Sequence, residues 1–135
     1  MKKLLLMILV LIVGACSKSN ESQVVDKNNE NLLIGKWYAV QWSSPNDPLS
    51  DCEKESYYSF RTDNTFSNVT SDEGSGSCSY GTPDIGNWRF QGDILILEYD
   101  NGTTYEIDEY EITTTKLTLN IIDAGELFIE IYEKR

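Results

Sequence analysis

The chain has no histidine. His-based triads and His-ligated metal sites are therefore excluded, because both need an imidazole as proton carrier or ligand. Cysteine is scarce, with three in 135 residues. Basic residues are few: 11 Lys and Arg stand against 22 Asp and Glu, a formal charge of −11. A field of that sign repels phosphate backbones, so nucleic acid is not expected as a partner. No helical period of apolar residues appears, and no Gly-rich loop leads into a helix to cradle a phosphate. The Asp-x-Asp-x-Asp-Gly spacing of a calcium loop is missing too. Catalysis, a cofactor and a bound metal are all unexpected.

Long apolar runs are also lacking, with one exception. Leu4–Val13 is unbroken and follows Lys2 and Lys3. A bilayer span needs about 20 apolar residues, so this shorter run reads as the h-region of an export signal. Val13-Gly14-Ala15-Cys16 directly after it resembles the lipobox of bacterial lipoproteins. The resemblance implies that Cys16 becomes the acylated first residue of a chain anchored to a membrane rather than spanning it. The expected organisation is a signal peptide over residues 1–15, lipidated Cys16 with a polar tether over 16–31, and one folded domain over 32–135. Ser17 after the lipidated Cys fits sorting to the outer membrane of the cell envelope. Loss of Lys2 and Lys3 would leave 9 basic against 22 acidic residues. Cys52 and Cys78 then remain as an even pair in an exported protein, which reads as a disulfide. Closing a loop of that size is worth roughly 3–4 kcal/mol in the loop-entropy picture.

What is present after residue 31 is alternation. Candidate strands are Lys36–Trp42, Ser56–Arg61, Thr65–Thr70, Gly86–Gln91, Ile94–Tyr99, Thr104–Ile112, Lys116–Ile122 and Glu126–Glu133. Side-chain parity must survive each hairpin. It asks for a two-residue loop at Gly92-Asp93, where Gly suits a type II′ turn. It asks for three-residue loops at Thr62-Asp63-Asn64, Asp100-Asn101-Gly102 and Asp123-Ala124-Gly125, each ending in a residue that tolerates positive φ. The fold expected is all-β: a small eight-stranded antiparallel up-and-down barrel, which removes exposed strand edges. The two long connections, 43–55 and 71–85, fall at one end of a meander and carry Cys52 and Cys78 to one rim.

Gly35-Lys36-Trp37 at the start of the first strand resembles the Gly-x-Trp element of the lipocalins. Taken with the leader, the Cys pair and the stretch from Cys52-Glu53-Lys54 to Tyr58-x-Phe60, the chain resembles the lipocalin-like domain lipoproteins of Bacteroidetes-type bacteria. The resemblance spans nearly all of 33–135. It implies that Gly35 and Trp37 build the closed end of the barrel and that a basic residue near the last strand, Arg135, caps the Trp37 ring. The chain is shorter than a full lipocalin and shows neither a Thr-Asp-Tyr element nor a terminal helix.

Strand direction sorts the inward residues by height. Trp37, Phe60, Phe66, Phe90, Leu95, Leu117 and Ile131 are expected near the closed end. Gln41, Tyr58, Asn68, Trp88, Tyr99 and Tyr105 are expected toward the disulfide rim, with Ile121 and Leu127, and Ile129 shares the inward face of Leu127 and Ile131. An apolar floor beneath aromatic hydroxyl, amide and indole groups suits a small amphipathic or hydrophobic ligand. An eight-stranded interior can equally be packed solid. The acidic stretch Glu106–Glu111 and the acidic rim residues Asp47, Asp51, Glu53, Asp72 and Glu73 read as solvated surface, and a basic protein partner is the alternative they favour. The domain is expected to be a monomer.

Overall fold

The structure is a computed structural model describing residues 27–43, 48–74 and 76–135. The leader, Cys16, the tether up to residue 26 and Asp47 lie outside the described residues. The chain begins with a short helix, α1 (Lys27–Leu33), followed by β1 (Gly35–Trp42). A 3₁₀ turn at Glu53–Glu55 leads into β2 (Tyr57–Phe60) and β3 (Thr65–Val69). The hairpin β4 (Ser71–Glu73) and β5 (Cys78–Tyr80) precedes β6 (Asp84–Gln91) and β7 (Ile94–Tyr99). Then come β8 (Thr104–Ile107), β9 (Tyr110–Ile112), β10 (Lys116–Asp123) and β11 (Glu126–Lys134).

All strands outside the β4–β5 hairpin form one antiparallel sheet in the order β8-β7-β6-β3-β2-β1-β11-β10-β9. Its two ends, β8 and β9, are consecutive in the chain and separated only by Asp108 and Glu109. They stand where one strand over Thr104–Ile112 is expected. The first half pairs with β7 and the second with β10, so a single stretch of chain brings the sheet nearly closed into a barrel. The break has a physical reason. Unbroken alternation from Tyr105 and Ile107 would drive Glu109 and Glu111 into the interior. The interruption keeps both exposed and packs Tyr110 and Ile112 against the core.

Three of the four turns follow the sequence. Gly92 has φ +60° between the paired residues Gln91 and Ile94. Asn64 (φ +65°) and Gly102 (φ +92°) end the three-residue loops, each closed by backbone bonds across the strand ends. The fourth differs. Asp123 pairs with Glu126, leaving a two-residue turn in which both Ala124 (φ +50°) and Gly125 (φ +85°) take positive φ, the type I′ pattern. A one-residue change of register turns every side chain of the following strand over. Phe128, Glu130, Tyr132 and Lys134 therefore face inward, and Leu127, Ile129 and Ile131, expected inside, face out. Leu127 is 56 % exposed, as is its cross-strand neighbour Ile122 at 66 %.

The same inversion settles the closed end. Trp37 is fully buried and donates from Nε1 to the Leu33 carbonyl at 2.7 Å. Lys134, not Arg135, covers its ring: Nζ lies 4.5 Å from the centroid and donates to the Leu32 carbonyl at 2.8 Å. Gly35 (φ +131°) leaves the space for that lysine, since a Cβ there would fall 2.8 Å from Lys134 Cε. Arg135 instead lies outside, on the Tyr38 ring and in ion pairs with Glu55 and Glu133. Helix α1 begins within the residues read as tether, 27–31, because Leu33 has a place in the core and the carbonyls at the helix end have two partners waiting.

At the other end Cys52 and Cys78 form a disulfide with Cα atoms 5.2 Å apart, tying the β1–β2 connection to the β4–β5 hairpin. Replacing both cysteines by serine should lower unfolding free energy by about 3 kcal/mol. Urea denaturation of the two proteins measures it, and an unchanged midpoint would mean that the loop was already ordered without the bond.

Candidate functional site

Below mid-height the barrel is solid. Trp37, Phe60, Phe66, Leu95, Leu97, Leu117 and Leu119 are all buried and form one cluster. Above it, on the end where the β7–β8 and β10–β11 turns lie, a cavity of about 300 Å³ opens to solvent. That volume is at the lower end for small-molecule sites. Tyr58, Asn68, Tyr99, Tyr105, Ile121, Phe128 and Glu130 line its interior, and Asp84, Asn101, Thr103 and Asp123 stand around it.

The floor depends on a glycine. Gly86 sits between Phe66 on β3 and Tyr99 on β7. A Cβ there would meet the Glu98 backbone oxygen at 2.1 Å and Phe66 at 2.9 Å. With no side chain in the way, the Phe66 and Tyr99 rings meet edge to face across it, centroids 4.9 Å apart. Tyr99 meets Tyr105 in the same manner at 5.8 Å, so an aromatic wall runs from floor to mouth.

The polar groups converge on this wall. The Tyr58 and Tyr99 hydroxyls share a hydrogen bond of 2.8 Å, and Asn68, paired with Tyr58 across β2 and β3, stands beside them on the wall. Burial pushes the Tyr99 hydroxyl up to about 12 and holds those of Tyr58 and Tyr132 well above the usual phenol range. Tyr132 lies edge-on to Tyr58 and donates to Glu130 Oε2 at 2.7 Å. Burial raises the Glu130 carboxyl above the usual carboxylate range, and the Tyr132 bond only partly offsets it.

Of the six residues expected to bind a ligand, Tyr58, Asn68, Tyr99 and Tyr105 line the cavity together. Gln41 does not. Pairing slips between Ala39 and Gln41, with Val40 as the extra residue of a bulge, so Trp42 rather than Gln41 comes opposite inward-facing Glu130. Trp88 is inward but sits at the lower end, donating to the Arg61 carbonyl at 3.2 Å beside the β2–β3 turn. The stagger of strands in a barrel places β6 lower than its order in the meander suggests. Cys52 and Cys78 share the upper end of the barrel but do not line the cavity. Glu130 and Phe128 are the residues missed. The signal for them was the run Glu126–Lys134 itself, whose aromatic residues Phe128 and Tyr132 share a face with Glu130.

The result is a nearly closed antiparallel barrel, sealed at one end and hollow at the other. The profile of the lipocalin-like domain family matches residues 33–119, more than half of the chain, and the protein belongs to that family. Among solved structures, a lipocalin-like protein from Bacteroides uniformis superposes with a TM-score of 0.51 at 19 % identity, covering 77 % of this chain and 99 % of that one. An uncharacterized protein from Bacteroides eggerthii gives 0.50 at 16 % identity, covering 76 % and 98 %. At these identities the likeness concerns the fold. No curated protein sequence matches the chain.

Two outcomes test this geometry. Gly86→Ala should destabilise the domain by about 1–3 kcal/mol or more, because the obstacle is backbone that cannot rotate away; a neutral effect would contradict the tight crossing. Glu130 has its higher pKa in the folded state, so protonation favours folding. The destabilisation from ionising it is complete above the folded value and absent below the unfolded value of about 4.5. Glu130→Gln should thus raise the thermal midpoint near neutral pH, with the gain shrinking as pH falls through the carboxylate range. A gain independent of pH would rule out this cause. The other titratable groups facing Glu130 are Tyr58, Tyr99, Tyr105 and Tyr132, neutral throughout, with Asp84 and Asp123 at the mouth.

Proposed function

We propose that this domain binds a small amphipathic or hydrophobic molecule in the upper cavity and that it does so as a lipid-anchored protein of the bacterial envelope. The observation that carries the first part is the cavity, with an apolar aromatic floor and a ring of hydrogen-bonding groups above it. Orientation would come from the polar groups and affinity from the aromatic surface. Its lower-end volume favours a metabolite-sized ligand over a long acyl chain. The anchor rests on the leader and on Cys16, which acylation would make the attachment point. Binding rather than catalysis is the reading, since the site offers hydroxyls, an amide and carboxylates but no nucleophile paired with a base.

Titration with N-phenyl-1-naphthylamine, a neutral fluorophore that brightens in apolar surroundings, tests the binding. Saturable enhancement is expected, weakened about 5–10-fold by Phe128→Ala or Tyr105→Ala through loss of stacking surface. No saturable signal, or a signal indifferent to both substitutions, would overturn the proposal.

A further inference from the structure

The cavity wall contains a carboxylate to which no described residue is a counter-ion. Among the described residues Glu130 makes no ion pair, and the one side-chain hydrogen bond they give it, from the neutral Tyr132 hydroxyl, engages only Oε2. Among the described residues no Lys or Arg lines the cavity, while Asp84 and Asp123 add two more carboxylates toward the mouth. Lys134, the cation that shares the inward face of β11, is turned away to the closed end, on Trp37 and the Leu32 carbonyl. A partly buried carboxylate in an apolar setting is stabilised either by taking up a proton or by gaining a cation. The described residues supply none, so the ligand can.

We infer that the cavity takes a small organic ammonium ion, a primary amine with an apolar tail, and that Glu130 is its counter-ion. The inference rests on the cavity being the ligand site proposed above. The ammonium group would donate to the Glu130 carboxylate, and the electron-rich faces of the tyrosine wall suit a cation as well as an apolar tail. The acidic mouth adds attraction of the same sign over a longer range. A metal ion is a poorer occupant, because no three carboxylates among the described residues are grouped closely enough to hold one. An anionic amphiphile is poorer still, since it would meet three like charges.

The test compares 2-phenylethylammonium with 2-phenylethanol and 3-phenylpropanoate by calorimetric or NMR titration at neutral pH and moderate salt. The ammonium ion should bind about 10–100-fold more tightly than the alcohol, and the carboxylate should not bind measurably. In Glu130→Gln, with folding verified by its thermal midpoint, the ratio between ammonium and alcohol should fall toward one. In Asp93→Asn, which removes an exposed charge at the opposite end, the ratio should persist, separating a counter-ion from the general attraction of an acidic protein. If the alcohol and the neutral fluorophore bind but the ammonium ion is not preferred, or the preference survives Glu130→Gln, the inference fails while the cavity remains a ligand site. If none of these molecules binds, both fail.

Discussion

Ala124 and Gly125 both hold positive φ, and this pair of dihedrals decides which half of β11 the barrel encloses. Alanine in that conformation is strained by about 1–2 kcal/mol, so the fold must gain more elsewhere to keep the register. The gains can be identified. Tyr132 enters to meet Tyr58 edge-on, Lys134 reaches Trp37 and the Leu32 carbonyl, and Arg135 pairs on the outside with both Glu133 and Glu55. The opposite register would bury three aliphatic residues and lose all of these contacts. It would also leave the upper barrel lined by leucine and isoleucine, without a carboxylate.

From that choice the molecule divides into a sealed half and an open half. The sealed half is Trp37, the end of α1, Lys134 and the aliphatic and aromatic layers above them. The open half begins where Gly86 lets Phe66 and Tyr99 close the floor. The disulfide holds the long connections at the upper end but takes no part in lining the cavity. The packed layers account for fold and stability, and the residues above the floor account for what the cavity can recognise.

Much of this was legible from alternation and turn chemistry. The strands of the main sheet, three of the turns, the pairing of Cys52 with Cys78, the inward path of Trp37 and four cavity residues follow from local rules, whereas the β4–β5 hairpin lies in a stretch read as a connection. The misplacements of Gln41, Leu127, Ile129, Ile131 and Arg135 share one kind of cause, a parity change of one residue, and Asp108-Glu109 carries another such change. Val40 supplies the first by a bulge, and Ala124-Gly125 governs the last strand by a turn one residue shorter than expected. Local sequence fits either version almost equally well, because β11 is apolar on both faces. Only the contacts made across the barrel distinguish them. Trp88 was misplaced for a different reason: its face was right, but height within a barrel depends on stagger, which no single strand encodes.

The seal at the closed end joins groups far apart in the chain: Lys134 and Leu32 are 102 positions from one another. During synthesis β1 is made long before the lysine that will cover Trp37, and it has no pairing partner on that side until β11 is complete. Contacts of such sequence separation form late and slow folding. The nascent barrel therefore spends its life before closure as a curled sheet with two unpaired edges and an uncovered indole. For this protein the exposure is longest at the β1 edge, and the pairing of β11 ends it.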